Sequence, residues 1–299
     1  MNKLKFALFF VLLYRYTPNS SSNSMEKKRI LFVSQEIYPF LPKSEISHNA
    51  RKLPQGTQEN GKEIRVFTPR FGSINERRHQ LHEVIRLSGM NIIIDDHDHP
   101  LIIKVASIPT ARIQVYFIDN DEYFKRKNNV TEDDGADYKD NDERSMFFCR
   151  GVLETVKKLG WKPDVIHCHG WMSSLMPLYI KKMYNKDPHF ADTKVVYSIY
   201  EDQQGFATEW DARFSEKLAF EGFDESVTSL VKNPTLEAIT NAAVTFSDGV
   251  VQSSEVIAPE LQGVYDKATC LKLNYLPEEN LSKGLSEFFD KVIEEAVLI

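Results

Sequence analysis

A chain of 299 residues that is 42% hydrophobic and 27% charged can bury one sizeable core or two small ones, which excludes an intrinsically disordered protein. Its formal charge of −6 supplies no footprint for nucleic acid or an anionic membrane, because those partners need clustered Lys and Arg. Its three cysteines, Cys149, Cys168 and Cys270, lie far apart and imply no disulfide framework, which favours a reducing compartment.

The first segment stands against that compartment. Lys3 and Lys5 precede an apolar run from Phe6 to Tyr14 in the manner of a signal peptide, too short for the about 20 apolar residues of a membrane span. No small-x-small cleavage site follows it, and Met25 stands directly before the first strand. The preferred reading is a cytoplasmic protein that starts at Met25, with residues 1–25 a leader or spurious extension. Export through residues 1–24 is the alternative. Residues 1–24 are not expected to pack on the domain, since a Ser/Asn tract separates them from it.

Residues 29–34, RILFVS, are continuously apolar after a basic patch, as in a central strand covered on both faces. Residues 63–68 read as a second strand ending at Pro69, and the charge-rich stretch 75–89 as a solvated connection. Three β-rich runs follow at 91–94, 101–106 and 112–118, the first two separated by the turn-like tract from Asp95 to Pro100. His97, Asp98 and His99 in that tract resemble metal ligands but have no third partner at a telling spacing, so turn chemistry is the better reading and no metal is expected. Residues 119–141 are polar and read as a surface loop. From Asp140, the residues Cys149, Val152, Leu153, Val156 and Leu159 recur at helical spacing up to Gly160.

That helix feeds residues 164–168, a buried strand that breaks at Gly170 and returns to helical spacing from Trp171. Strand, helix, strand in this order is the right-handed crossover of a parallel sheet. Ligands of open α/β folds bind outside the carboxyl ends of parallel strands, which here places His169, Gly170 and Trp171 at the crevice. His167 and His169 share a face by alternation, and two such ligands do not make a zinc site. Residues 194–199 give a further core strand and 206–231 a pair of short helices. The run Leu236, Ile239, Ala243 and Phe246 makes a helix closed by Asp248-Gly249, before a last strand from Val250. Near the end, Leu285, Phe288, Phe289, Val292, Ile293 and Val297 form one helical stripe, read either as a helix docked on the sheet or, more sharply, as one that binds a partner chain. The fold class is therefore α/β: a single Rossmann-like, doubly wound, largely parallel sheet over 26–265, then an amphipathic helix within 266–299. Ser34, His169 and Tyr200 are its crevice-facing strand ends.

Five segments in order resemble the bacterial glycogen and starch synthases over nearly all of residues 26–260. They are ILFVSQEIYPF (30–40), EIRVFTPRFGSI (63–74), PDVIHCHGWMSSLMPL (163–178), KVVYSIY (194–200) and SDGVVQSSEVIA (247–258). The resemblance implies a GT-B N-terminal domain with an antiparallel excursion, in a family that moves glucose from ADP-glucose or UDP-glucose to an α-1,4-glucan. It covers only the acceptor-side half of such a synthase, so the chain is expected to be catalytically silent alone. Within it, Glu36 and Tyr38 match the segment before the family's diphosphate loop. An ungapped register then puts Pro42 at the family lysine, Ser44 and Glu45 at its paired glycines and His48 at its aspartate, with Lys43 a partial substitute. His169 and Trp171 match the acceptor-side crevice, while Gly170 replaces the family's aspartate and Tyr200-Glu201 its His-Asn pair. Ser254 matches the last strand-to-helix turn. Glu36, Tyr38, Lys43, His169, Trp171, Tyr200 and Ser254 are thus the candidate substrate contacts, with no catalytic residue and no cofactor implied. The ligand implied is an α-glucan acceptor or a nucleotide sugar, and the alternative function is a non-catalytic α-glucan or sugar-nucleotide binding or regulatory protein.

Overall fold

The computed structural model of the chain describes residues 26–201, 206 and 210–295. The leader and Val297 lie outside these described residues. Among them, ten strands form one sheet: β1 (Arg29–Ser34), β2 (Glu63–Pro69), β3 (His82–Glu83), β4 (Met90–Ile94), β5 (His97–Ile108), β6 (Ile113–Asp119), β7 (Val165–His169), β8 (Lys194–Ile199), β9 (Gly249–Gln252) and β10 (Leu271–Leu273). The continuously apolar β1 lies inside the sheet, with Ile30 to Val33 fully buried, as a strand covered on both faces must be. It pairs in parallel with β2 on one side and β7 on the other. The order is β10-β9-β8-β7-β1-β2-β6-β5-β3, with every pair from β10 to β6 parallel. The chain winds outward from β1 through β2 to β6, then returns to the other side at β7. That reversal between β1 and β7 is the topological switch point at which open α/β sheets hold their ligands.

The antiparallel excursion is β5 against β6, with β3 and β4 both paired to β5. Its turn is tighter than the sequence suggests. Asp95 and Asp96 alone make it, both with positive φ (43° and 67°), and Ile94 faces His97 across the ladder. Two left-handed residues match the twist of a two-residue hairpin, and Asp tolerates that region. His97, Asp98 and His99 are consequently strand residues. His99 points inward, with Nε2 2.9 Å from the Tyr123 hydroxyl and Nδ1 3.1 Å from Glu122.

Two other stretches are more structured than their polarity indicates. In the charge-rich connection 75–89, Glu76 bonds both Arg70 and Lys104, and these cations flank the buried Asp119. In the acidic stretch 119–141, Tyr123, Phe124 and Tyr138 are buried around the fully buried Arg144. Other charged residues of these stretches, among them Arg77, Arg78, Arg86, Asp133 and Asp134, face solvent as their polarity indicates.

Five longer helices cover the sheet: α1 (Glu45–Glu59), α2 (Asn141–Lys158), α3 (Leu236–Thr245), α4 (Pro259–Lys267) and α5 (Glu278–Glu294). Two short helices, Phe214–Phe220 and Glu225–Thr228, occupy the 206–231 stretch as expected. The unexpected helix is α1. Ser44 caps it: the Ser47 amide donates to Ser44 Oγ (3.0 Å) and the Ser44 amide to Ser47 Oγ (2.8 Å), a reciprocal capping box. Ile46, Ala50, Leu53 and Thr57 form its buried face.

The α5 stripe is spent on this chain's own core. Leu285, Phe288, Phe289 and Val292 are buried, and the Phe289 ring lies 6.1 Å from Phe32 and 5.3 Å from His167. Gly56 lets α5 close on α1, since a Cβ there would sit 2.5 Å from the Ser282 Cβ. Lys62 Nζ then ties α5 down through Ser286 (2.8 Å) and Asp290 (2.9 Å). The partner-binding reading of this helix is corrected accordingly, because its apolar face already has an occupant. β10 pairs with β9, so residues beyond 265 continue the same sheet. Among the described residues no helix is long and apolar enough to cross a membrane.

Candidate active-site crevice

At the switch point, Ser34 of β1 faces His169 of β7, which faces Ser198 of β8. The chain leaves β1 with the Gln35 amide donating to the His169 carbonyl (3.1 Å). Gly170 follows with φ +81°, a conformation that disfavours any residue with a Cβ, and a Cβ there would meet the Gln35 side chain at 2.4 Å. Glycine at this position thus admits Gln35, whose Oε1 accepts from the Met172 amide (3.4 Å).

Both histidines are fully buried. His169 Nδ1 is 2.7 Å from the Tyr200 hydroxyl, and His167 Nε2 is 2.8 Å from Ser198 Oγ, with the two imidazole centroids 4.0 Å apart. Burial pushes the His169 pKa down to about 3 and that of His167 well below its ordinary value, helped for His167 by its neighbour His169. The pair is neutral at physiological pH. Burial likewise pushes the Tyr200 phenol above its ordinary range, partly offset by hydrogen bonds with Asn49, Ser253 and Ser198. His169 Nε2 and His167 Nδ1 have no hydrogen-bond partner among the described residues.

Glu36 and Ser254 belong to the rim of this crevice. Ser44 Oγ donates to Glu36 Oε2 (2.6 Å), and Ser34 Oγ donates to the Glu36 carbonyl (2.7 Å). Ser254, just past β9, donates to the Glu45 carboxylate and accepts from the Glu201 amide (2.9 Å). The first turn of α1 is thereby latched across the ends of β1, β8 and β9. Trp171 is fully buried against Phe206 and Trp210, with ring centroids 5.7 and 5.9 Å away, and so lies beneath the crevice rather than on its wall. Tyr38 and Lys43 instead line a cavity of about 300 Å³ with His48, Arg51, Lys52 and Gln55 of α1. Among the described residues, no group of three or more His, Cys, Asp or Glu could hold a metal ion.

Sequence reasoning missed Gln35, Ser198 and the Glu45 latch. Register from β7 to β8 would have found Ser198, since it pairs with His169 and so lies two residues from His167 in pairing, on the same face. Nothing in the local sequence marks the Glu45 to Ser254 bond, whose ends are 209 residues apart.

Residues 29–272 match the family described as the starch synthase catalytic domain. The chain belongs to that glycogen and starch synthase family. Among curated relatives, the glycogen synthase of Chlorobium limicola is 41% identical over 173 residues, covering 58% of this chain and 35% of its own length. That of Chlorobium luteolum is 34% identical over 244 residues, covering 80% of this chain and 49% of its own. The chain thus spans about a third to a half of the length of these synthases. Among solved structures, the catalytic domain of starch synthase IV from Arabidopsis thaliana, bound to ADP and acarbose, superposes with a TM-score of 0.67 at 17% identity. It covers 84% of this chain and 51% of that one, and establishes the GT-B fold of this synthase family member.

Proposed function

We propose that the chain is the acceptor-side portion of an α-glucan synthase and that, in the closed form described here, it transfers no glucose from a nucleotide sugar. The reading is carried by the latch at the strand ends, where Glu45 is bonded to Ser254 and Ser44 to Glu36, above a His169 fully buried against Tyr200. The groups a ligand would meet are already paired with one another. Holding donor and acceptor together contributes about 7 to 11 kcal/mol to such a reaction, and a closed crevice forfeits it. Glu45 also places a carboxylate where a diphosphate would have to approach.

The test is incubation of the purified chain with radiolabelled ADP-glucose or UDP-glucose and a glycogen primer, with and without Mg²⁺. Background incorporation is expected. Primer-dependent incorporation, abolished by Tyr200→Ala, would overturn the reading. ADP and acarbose, the ligands of the Arabidopsis domain, are the compounds to titrate in parallel. Binding of acarbose without transfer would favour the second reading, a non-catalytic α-glucan binder.

A further inference from the structure

On the outward side of α1 lies the cavity of about 300 Å³ lined by Tyr38, Lys43, His48, Arg51, Lys52 and Gln55. Four of these residues, His48, Arg51, Lys52 and Gln55, recur at three and four along α1 and so make one helix face. Three are permanent cations, Lys43, Arg51 and Lys52. A single carboxylate answers them: Glu278, at the start of α5, accepts from Lys52 Nζ (2.5 Å) and lies 3.1 Å from His48 Nε2. The hydrogen bonds from Lys52 and His48 hold the Glu278 carboxyl well below the usual range, at about 2.

Lys43 and Arg51 have no carboxylate partner among the described residues. Arg51 instead donates to Thr110 Oγ1 (2.9 Å) and carries its guanidinium 5.7 Å from the centroid of the Tyr38 ring. Like charges gathered on one helix face repel, and a chain with a formal charge of −6 has no compositional reason to gather them. A guanidinium and two ammonium groups converging on a concave site fit the oxygens of a phosphate group. Tyr38, 38% exposed beside them, offers an apolar face to whatever carries the phosphate.

We propose that this cavity is a binding site for a small phosphate-bearing anion, separate from the strand-end crevice. Lys43 and Arg51 grip the phosphate, Lys52 is shared between it and Glu278, and the Tyr38 ring meets an attached sugar. The inference assigns Tyr38 and Lys43 to this cavity instead of to the crevice, and it stands whether or not the crevice binds a nucleotide sugar, because His169, Tyr200 and Ser254 take no part in it.

The experiment is calorimetric titration of the full chain with inorganic phosphate, glucose 1-phosphate and glucose, at low and at high salt. Glucose 1-phosphate is expected to bind in a salt-sensitive manner and glucose not at all. Lys43→Gln combined with Arg51→Gln should weaken binding by roughly tenfold or more, while Lys283→Gln on the exposed side of α5 should leave it unchanged. Glu278→Gln, which frees Lys52, should tighten it by about threefold, an expected gain that loss of folding cannot mimic. Phosphate binding as tightly as glucose 1-phosphate would assign the site to the free anion. Absence of binding by both phosphates, equal binding of glucose, or indifference to both Lys43/Arg51 and Glu278 substitutions overturns the proposal.

Discussion

Phe289→Ala tests whether α5 is core or a free interaction helix. Phe289 is fully buried, with its ring against Phe32 of β1 and His167 of β7, so it spans helix and sheet at the switch point. Truncating a buried phenylalanine costs about 3 to 5 kcal/mol, the transfer of its ring plus the cavity left behind. Each lost aromatic contact is worth about 0.5 to 1.5 kcal/mol within that sum. Because the neighbouring Lys62 to Asp290 tie holds α5 in place, the site cannot collapse easily and the upper half of the range is expected. Against a total stability of about 5 to 15 kcal/mol, this is a large fraction. Urea denaturation followed by circular dichroism should show the midpoint fall, with Phe289→Leu losing only about 1.5 kcal/mol or less. A Phe289→Ala midpoint within error of the wild type, or a wild-type midpoint that rises with protein concentration, would refute the argument. The second result would mean that the apolar face is completed by another chain.

Three further outcomes follow from the crevice. His169 titrates near 3 when folded against an ordinary value of 6.5, so its stabilising effect is complete above pH 6.5 and is lost as pH falls toward 3. Stability should decline by about 1.4 kcal/mol per pH unit for this histidine, and the slope of His169→Gln between pH 6.5 and 5 should be shallower by that amount. Asp142, raised to about 6 by burial, acts in the opposite sense below pH 6, which is why wild type and variant are compared and not the wild-type slope alone. Tyr200→Phe removes the partner of the buried His169 Nδ1 and should cost about 1 to 3 kcal/mol in urea denaturation, whereas no change would mean the bond is not formed. Gly170→Ala forces a Cβ onto Gln35 at positive φ and should cost roughly 1 to 3 kcal/mol by the same assay; a stabilised variant would contradict the geometry.

The parallel half of the fold was legible because its strands are buried on both faces and read as unbroken apolar runs. β1, β7 and β8 appear where RILFVS, VIHCH and KVVYSI stand. The antiparallel edge was less legible for the complementary reason. At the start of β5, His97, Asp98 and Pro100 face outward and only His99 is buried, so a strand with one wet face reads as a turn. α1 was hidden by Pro54 and Gly56, which read as breakers although the helix runs through both. Its cap was visible in Ser44 and Ser47, but a positional register against the family's loop gave Ser44 another meaning. Of the candidate site, the facing of His167 and His169 followed from alternation alone. The inward packing of Trp171 did not, since it depends on Phe206 and Trp210, whose placement no local pattern fixes.

The positions at which this chain departs from its family's pattern are not independent. Ser44 and Glu45, standing where paired glycines are expected, turn a loop into a capped helix start, and their side chains then bond Glu36 and Ser254. Tyr200, standing where an imidazole is expected, reaches His169 Nδ1. Gly170, standing where an aspartate is expected, takes up a positive φ that admits Gln35 beneath it. Buried polar groups cost free energy unless paired, so a crevice shaped for a ligand holds back some of its donors and acceptors for that ligand. Here the departures bond other groups of the chain, and the polar atoms left over beside the strand ends among the described residues include His169 Nε2 and His167 Nδ1, both fully buried. If a single departure were undone, its partner would lose that bond. Restoring the family pattern at one position should therefore destabilise the chain before it opens the crevice, whereas restoring it at positions 44, 45 and 200 together breaks the bonds to Glu36, Ser254 and His169 at once.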